Sequence, residues 1–320
     1  MITNTSRRLL TRAVLASRPY TRRSLATIAQ IPSNEQSFPH PSDRTRFSRS
    51  FATMPDLDAN QGGDPNKKTY NKKATGLALK TAEAHDADHE LKLFGSCFCP
   101  FVHRVWISLE LKQLAYQYVE VDVYRKPKLL LDVNPRGLVP ALRHGDWGCY
   151  ESTVLMEYLE DLGEGEPLLP SDPKLRAVSR LWSDHINRHI IPNFYRYLQA
   201  QTQKEQIEHG EEFKTQITKL VDAADDKGPF FLGKRMTFVD VQFAPWVVRM
   251  RRVLKPYRGW SDPESGSRWA KWVDAIESHD AVKNTTSDDQ LYLDSYERYA
   301  ENRPNTSEVQ KAINSGKGLP

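Results

Sequence analysis

The apolar positions of this chain change their spacing along its length, and the spacing predicts the elements. In LKLFGS, Leu91, Leu93 and Phe94 make a short apolar run that Gly95 and Ser96 close, the mark of a strand. From Pro100 the period lengthens: Val102, Val105, Trp106 and Leu109 recur at helical intervals behind a proline suited to a first helical position. YQYVEVDV then returns to β-branched and aromatic residues in rough alternation, a second strand, so the three elements form a βαβ unit.

NPRGLVPAL supplies a third strand through Val139, Ala141 and Leu142. A turn at His144, Gly145 and Asp146 leads to a brief fourth strand around Cys149. A helix starting near Ser152 carries Val154, Leu155, Tyr158, Leu159 and Leu162 on one face until GEGEP stops it, and residues 163–172 read as an interdomain linker.

Beyond that the pattern is helical throughout. Val178, Leu181, Trp182, Ile186 and Ile190 share one face, and Phe213, Ile217, Leu220, Val221 and Ala224 share the next. Thr237-Phe238-Val239-Asp240 is a capping-box variant, with Met236 and Val241 placed as its hydrophobic staple. Two further helices fall at about 265–279 and 287–302, and no internal repeat is visible.

The first 88 residues lack such periodicity, and charge separates them from the rest. Residues 1–80 hold 14 Lys/Arg against 5 Asp/Glu, a balance of +9, whereas the whole chain carries +4, which leaves the remainder at −5. The basic excess sits in an extension, so nucleic-acid binding is not expected. Residues 1–34 contain six arginines and no acid, with Leu9, Leu10, Val14 and Leu15 able to share a helical face. That is the composition of a mitochondrial transit peptide, a disordered basic tail being the alternative. Met54 offers a second start that would leave a cytosolic form. Residues 35–88 read as a disordered linker and residues 303–320 as a polar tail. No run approaches the length of a membrane-spanning helix, so membrane insertion is not expected. Three cysteines, Cys97, Cys99 and Cys149, are too few for a secreted disulfide scaffold and imply a reducing compartment.

Cys99 stands before the helix-starting proline, at the N-cap. Free amide donors and partial positive charge there favour a thiolate; a buried structural cysteine is the competing reading. Val139-Pro140 opens a strand where a cis peptide would present the Val139 backbone to a peptide-like ligand, against the alternative of a turn proline. Glu151 and Ser152 begin a helix whose amides can hold a ligand carboxylate, and Ser152 can also cap it. His185 and His189 are spaced i, i+4, but Ile186 replaces the glutamate of a zincin motif, so they read as packing or pocket lining rather than metal ligands. Cys97 reads as a bystander, because a Cys-x-Cys ring is strained.

Together CFCPFVHR, NPRGLVPAL, YES and TFVDVQFAPW resemble the glutathione transferase superfamily, omega class, over about residues 90–300. The resemblance implies a thioredoxin-like N-terminal domain with a mixed four-stranded sheet (89–163), followed by an all-helical domain (173–302), with the site in the cleft between them. It implies Cys99 as the catalytic residue, Phe101 beside a bound glutathione, and Lys126 at the glycyl carboxylate. Val139, followed by Pro140, pairs by backbone with the cysteinyl part, and Glu151 with Ser152 holds the γ-glutamyl end. Tyr195, Tyr197, Trp246 and Arg249 are candidates for an acceptor pocket, with core packing as their alternative. Glutathione is then a cosubstrate, with no permanently bound cofactor and no metal. The acceptor is a small-molecule or protein mixed disulfide, and the assembly is a homodimer. The expected reaction is thiol–disulfide exchange. Glutathione conjugation or reductive dehalogenation of an aromatic electrophile is the alternative, and a membrane-associating protein of the chloride intracellular channel type is the alternative of another class.

Overall fold

The computed structural model describes residues 70–320. The transit-peptide reading of residues 1–34 and most of the linker reading, up to residue 69, lie outside the described residues.

A strand of apolar residues flanked by polar turns needs neighbours on both edges, and β1 (Leu91–Gly95) finds them. It pairs in parallel with β2 (Gln117–Glu120) and antiparallel with β3 (Ala141–His144), which pairs antiparallel with β4 (Trp147–Tyr150), giving the order β2-β1-β3-β4. This is the expected mixed four-stranded sheet. Between β1 and β2 runs α2 (Pro100–Lys112), whose Val102, Val105, Trp106 and Leu109 are all buried. A helix absent from the sequence reading, α3 (Lys128–Val133), precedes β3, and α4 (Ser152–Asp161) follows β4.

The register decides where the loops go. Gly95 lies opposite Glu120, Phe94 opposite Ala141, and Ala141 opposite Tyr150. The chain therefore leaves β1 and β2, enters β3 and leaves β4 at one end of the sheet.

The second half is helical: α5 (Pro173–His185), α6 (Ile191–Gln199), α7 (Gln203–Asp222), α8 (Phe238–Arg249), α9 (Lys255–Arg258), α10 (Arg268–Ser278), α11 (Asp280–Asn284) and α12 (Asp289–Ala300). A π-helical turn at Ile186–Ile190 joins α5 to α6, and another at Met250–Leu254 joins α8 to α9. Each ends just before a proline, Pro192 or Pro256, whose missing N–H cannot close the regular ladder, so the helix widens by one residue and continues. Asp240 is the buried anchor of the capping box. Its carboxylate accepts from the Thr237 amide and hydroxyl, from the Phe231 amide and from the Trp272 indole, at 2.7–2.8 Å. Helix α2 packs on both α4 and α8, so one apolar core runs through both halves.

Three expectations need correction. The linker reading of 35–88 fails at its end, where α1 (Gly76–Ala84) forms and Tyr70, Ala74 and Ala78 are buried. Its partners are distant in sequence: the Asn71 amide donates to Ser295, the Thr75 amide to Ser287, and the Thr81 hydroxyl to the Asn284 carbonyl. The tail 303–320 likewise contains a helix, α13 (Glu308–Asn314), capped by Ser307 and burying Gln310, Ala312 and Ile313. Val154, Val178 and Leu181, read as inward, are 50%, 37% and 64% exposed. A bidentate Arg180–Glu157 ion pair ties α4 to α5 beside them.

Candidate functional site

The turn after β1 folds back on itself, the Cys99 amide donating to the Ser96 carbonyl at 2.9 Å, and delivers Cys99 to the N-cap of α2. Its carbonyl begins the helix by accepting from His103, and its thiol, partly open, donates to the Val139 carbonyl at 3.7 Å. Five influences act on that thiol. Burial is the largest and pushes it up; the amides of Val102 and Phe101, then the guanidinium groups of Arg249 and Arg104, pull it down. Burial prevails, so the thiol lies above its ordinary value and not at the low value that the N-cap by itself favours. Cys97 is also pushed up by burial and gives its thiol hydrogen to the Asn71 carbonyl, which leaves it chemically quiet.

Around Cys99 the structure forms a cavity of about 360 Å³. Of the residues singled out in the sequence, Cys99, Phe101, Lys126, Val139, Pro140, Glu151, Ser152 and Tyr195 all line it. The shared end of the sheet is the reason, since Lys126 follows β2, Val139-Pro140 precedes β3, and Glu151-Ser152 follows β4. The Val139–Pro140 bond is cis. Burial lowers the Lys126 ammonium, which donates to the Arg136 carbonyl at 3.4 Å and feels Glu308 of α13. Glu151 is exposed, holds a left-handed backbone (φ 78°) unusual for a residue with a side chain, and pairs with Arg136 at 2.7 Å. Ser152 is buried, its hydroxyl accepting from Arg104 at 3.3 Å.

Three acceptor-pocket candidates lie elsewhere. Tyr197 turns away, its hydroxyl donating to the Arg258 carbonyl at 2.8 Å. Trp246 stands behind the wall, edge-on to Phe101 with centroids 5.3 Å apart. Arg249 is fully buried, donating to the Phe98 carbonyl at 2.9 Å and to the Tyr296 hydroxyl at 2.6 Å; Tyr296 also reaches that carbonyl. Arg249 therefore fixes the peptide preceding Cys99 without meeting the cavity. The helical period that grouped these residues locates a buried face but does not say which part of that face borders empty space.

Other walls escaped the sequence reading. Arg104 lay within the quoted CFCPFVHR run, yet nothing in the pattern showed that its charge points inward. Tyr296 and Tyr299, spaced i, i+3 on α12, give the cavity an aromatic side with Tyr124, and Thr306–Val309 close it from the C-terminal segment that was read as a tail. Tyr124 holds that segment through a hydrogen bond to the Thr306 carbonyl. His185 is satisfied by the Gln216 carbonyl, and no group of three or more metal-ligating side chains occurs among the described residues. No described helix is long and apolar enough to cross a membrane.

Comparison with known proteins places this geometry in context. Residues 93–167 match the family model described as glutathione S-transferase, N-terminal domain, and residues 189–275 match the corresponding C-terminal domain. Glutathione S-transferase U16 of Arabidopsis thaliana is 32% identical over 204 residues, covering 61% of this chain and 87% of that one. Among solved structures, glutathione transferase Omega 3C from Trametes versicolor is 43% identical with a TM-score of 0.67, covering 72% of this chain and 98% of that one. A tau-class glutathione S-transferase from mango, Mangifera indica, is 26% identical with a TM-score of 0.58, covering 66% and 96% respectively.

Proposed function

Because this chain belongs to the glutathione S-transferase family, we propose that it is an omega-type, glutathione-dependent thiol transferase acting through Cys99. Glutathione is its cosubstrate. The observation that carries the reading is a cysteine at the N-cap of α2, open to a cavity that also presents Val139, Lys126 and the Glu151-Ser152 pair. A thiol at this place forms a covalent bond with sulfur, whereas a hydroxyl would only support a bound thiolate.

In the proposed cycle the Cys99 thiolate attacks the glutathionyl sulfur of a mixed disulfide. The new S–S bond leaves Cys99 glutathionylated, and the acceptor departs as a thiolate that takes up a proton. A second glutathione thiolate then attacks the adduct, releasing oxidised glutathione and regenerating Cys99. Lys126 supplies a cation for the glycyl carboxylate, the α4 N-terminus and Ser152 supply donors for the γ-glutamyl carboxylate, and Glu151 supplies an acid for its ammonium. Glu151 must exchange Arg136 for that ammonium.

Intact mass after exposure to oxidised glutathione tests this directly. One adduct on Cys99, removed by reduced glutathione, is expected; no adduct would overturn the reading. The aromatic wall of Tyr124, Tyr195, Tyr296 and Tyr299, with the likeness to a tau-class structure, favours conjugation of an aromatic electrophile as a second reading. Homodimer formation is supported by the exposed apolar residues Val154, Val178 and Leu181, which a second copy would cover. Mitochondrial import rests on the arginine-rich, acid-free start, and fractionation of cells expressing the full chain tests it.

A further inference from the structure

Arg104 sits in the second turn of α2, fully buried, with one side on the cavity. Three neutral acceptors hold it, each from a different element: the Gln242 carbonyl of α8 at 2.9 Å, Asn187 of the first π turn at 2.8 Å, and the Ser152 hydroxyl of α4 at 3.3 Å. The rings of Trp246 and Phe101 cover it, their centroids 4.4 and 5.6 Å from the guanidinium carbon. None of its hydrogen bonds goes to a carboxylate, and a buried charge without a counter-ion is costly. Desolvation pulls its pKa down to about 9. A cation retained under those conditions calls for an anion in the cavity.

Two anions fit. One is the Cys99 thiolate, since Arg104 and Cys99 each favour the other's charged form. The other is a ligand carboxylate at Ser152. Because Arg104 donates to the Ser152 oxygen, the hydroxyl keeps its own proton for another acceptor, and no described protein group takes it. We propose that Arg104 is a positioning residue that orients the Ser152 hydroxyl toward a ligand carboxylate and lends its charge to the Cys99 thiolate. Its role deepens the thiol-transferase reading and rests on it for the ligand.

The other titratable groups facing Cys99 are Arg249 of α8, Tyr195 of α6, and Tyr296 and Tyr299 of α12, with Cys97 and Tyr118 beside it in the sheet domain. The tyrosines are all pushed up by burial, Tyr296 to about 12, so near neutral pH they stay uncharged, and of the groups acting on the Cys99 thiol the two arginines supply the charge, with Lys126, Glu151 and Glu308 lining the same cavity.

The test uses the full chain as Arg104→Gln, Arg104→Lys and Ser152→Ala, with thermal melts to establish folding. Iodoacetamide labelling of Cys99 is followed against pH by tandem mass spectrometry, and KM for glutathione is separated from kcat. In Arg104→Gln the labelling midpoint moves up by about one pH unit, which slows labelling about tenfold near neutrality, and KM rises. Arg104→Lys restores the labelling profile but not KM, because one ammonium cannot hold three acceptors in a plane. Ser152→Ala raises KM and leaves the labelling profile in place. A folded Arg104→Gln with unchanged profile and KM overturns the proposal. Should Arg104→Gln fail to fold, Arg104→Lys with normal KM, or with a displaced profile, overturns it equally. Labelling involves no glutathione, so the charge effect on Cys99 is read even if no glutathione adduct forms on the unmodified protein.

Discussion

Glu120 links the segment before α1 to the turn that carries Cys99. It ends β2, largely buried, and accepts from the Cys97 amide at 2.7 Å and from the Ala74 amide at 3.3 Å, with Lys73 as the cation nearest in effect. Burial outweighs these donors and raises its carboxyl from the ordinary 4.5 to about 7. The folded state therefore binds a proton more tightly than the unfolded chain does. Stability from this site is fully present below about pH 4.5 and is lost as pH rises to about 7. At about 1.4 kcal/mol for each pH unit, the loss amounts to about 3 kcal/mol. Glu120→Gln cannot ionise. Its carbonyl keeps the Cys97 bond, while its amino group loses the Ala74 bond, a cost of about 1 kcal/mol. Urea unfolding near pH 5 and near pH 8 should show the unsubstituted chain the more stable at the lower pH, and the advantage should reverse at the higher, a change of about 2–3 kcal/mol in their difference. Two profiles that run parallel within about 1 kcal/mol would refute the argument.

Other outcomes follow from particular contacts. Cys99→Ser keeps a good N-cap but cannot form a disulfide, so thiol transfer should fall about a hundredfold or more while any conjugating activity persists, as coupled and direct assays would show. Asp240→Asn replaces one acceptor oxygen with an NH2 donor and leaves two of the four groups that donate to Asp240 without an acceptor; urea unfolding should register a loss of about 3–5 kcal/mol. Gly165 has φ 66° and a Cβ there would lie 2.1 Å from the Lys112 carbonyl oxygen, so Gly165→Ala should lower the melting temperature, with a cost of about 2 kcal/mol or more. Leu181→Asp places a charge on the exposed apolar face and should convert a dimer to monomers in light scattering; a monomeric unsubstituted chain would sink the dimer reading.

Much of the fold was legible because periodicity reports local geometry. A run such as Leu91–Phe94 or the Val102–Leu109 spacing needs only its own residues to declare a strand or a helix. The segments misread were those whose order is borrowed. In α1 and α13 few apolar side chains recur, and both are held by partners such as Ser287, Ser295 and Tyr124 that lie far along the chain.

The candidate site divides the same way. By itself, the sequence determined that a cysteine would cap α2, that a proline would open β3 and that Glu151-Ser152 would begin α4, since each is a statement about neighbouring residues. Only the tertiary structure decided that these share one end of a sheet, through the Phe94–Ala141 and Ala141–Tyr150 register. It also decided which members of an inward helical face meet empty space: Tyr195 does, whereas Trp246 and Arg249 stand behind it and act through Arg104 and the Phe98 carbonyl. Chain spacing carries direction around a helix axis but no record of what lies across from it, and a charge as deeply buried as Arg104 is revealed only by the groups that surround it.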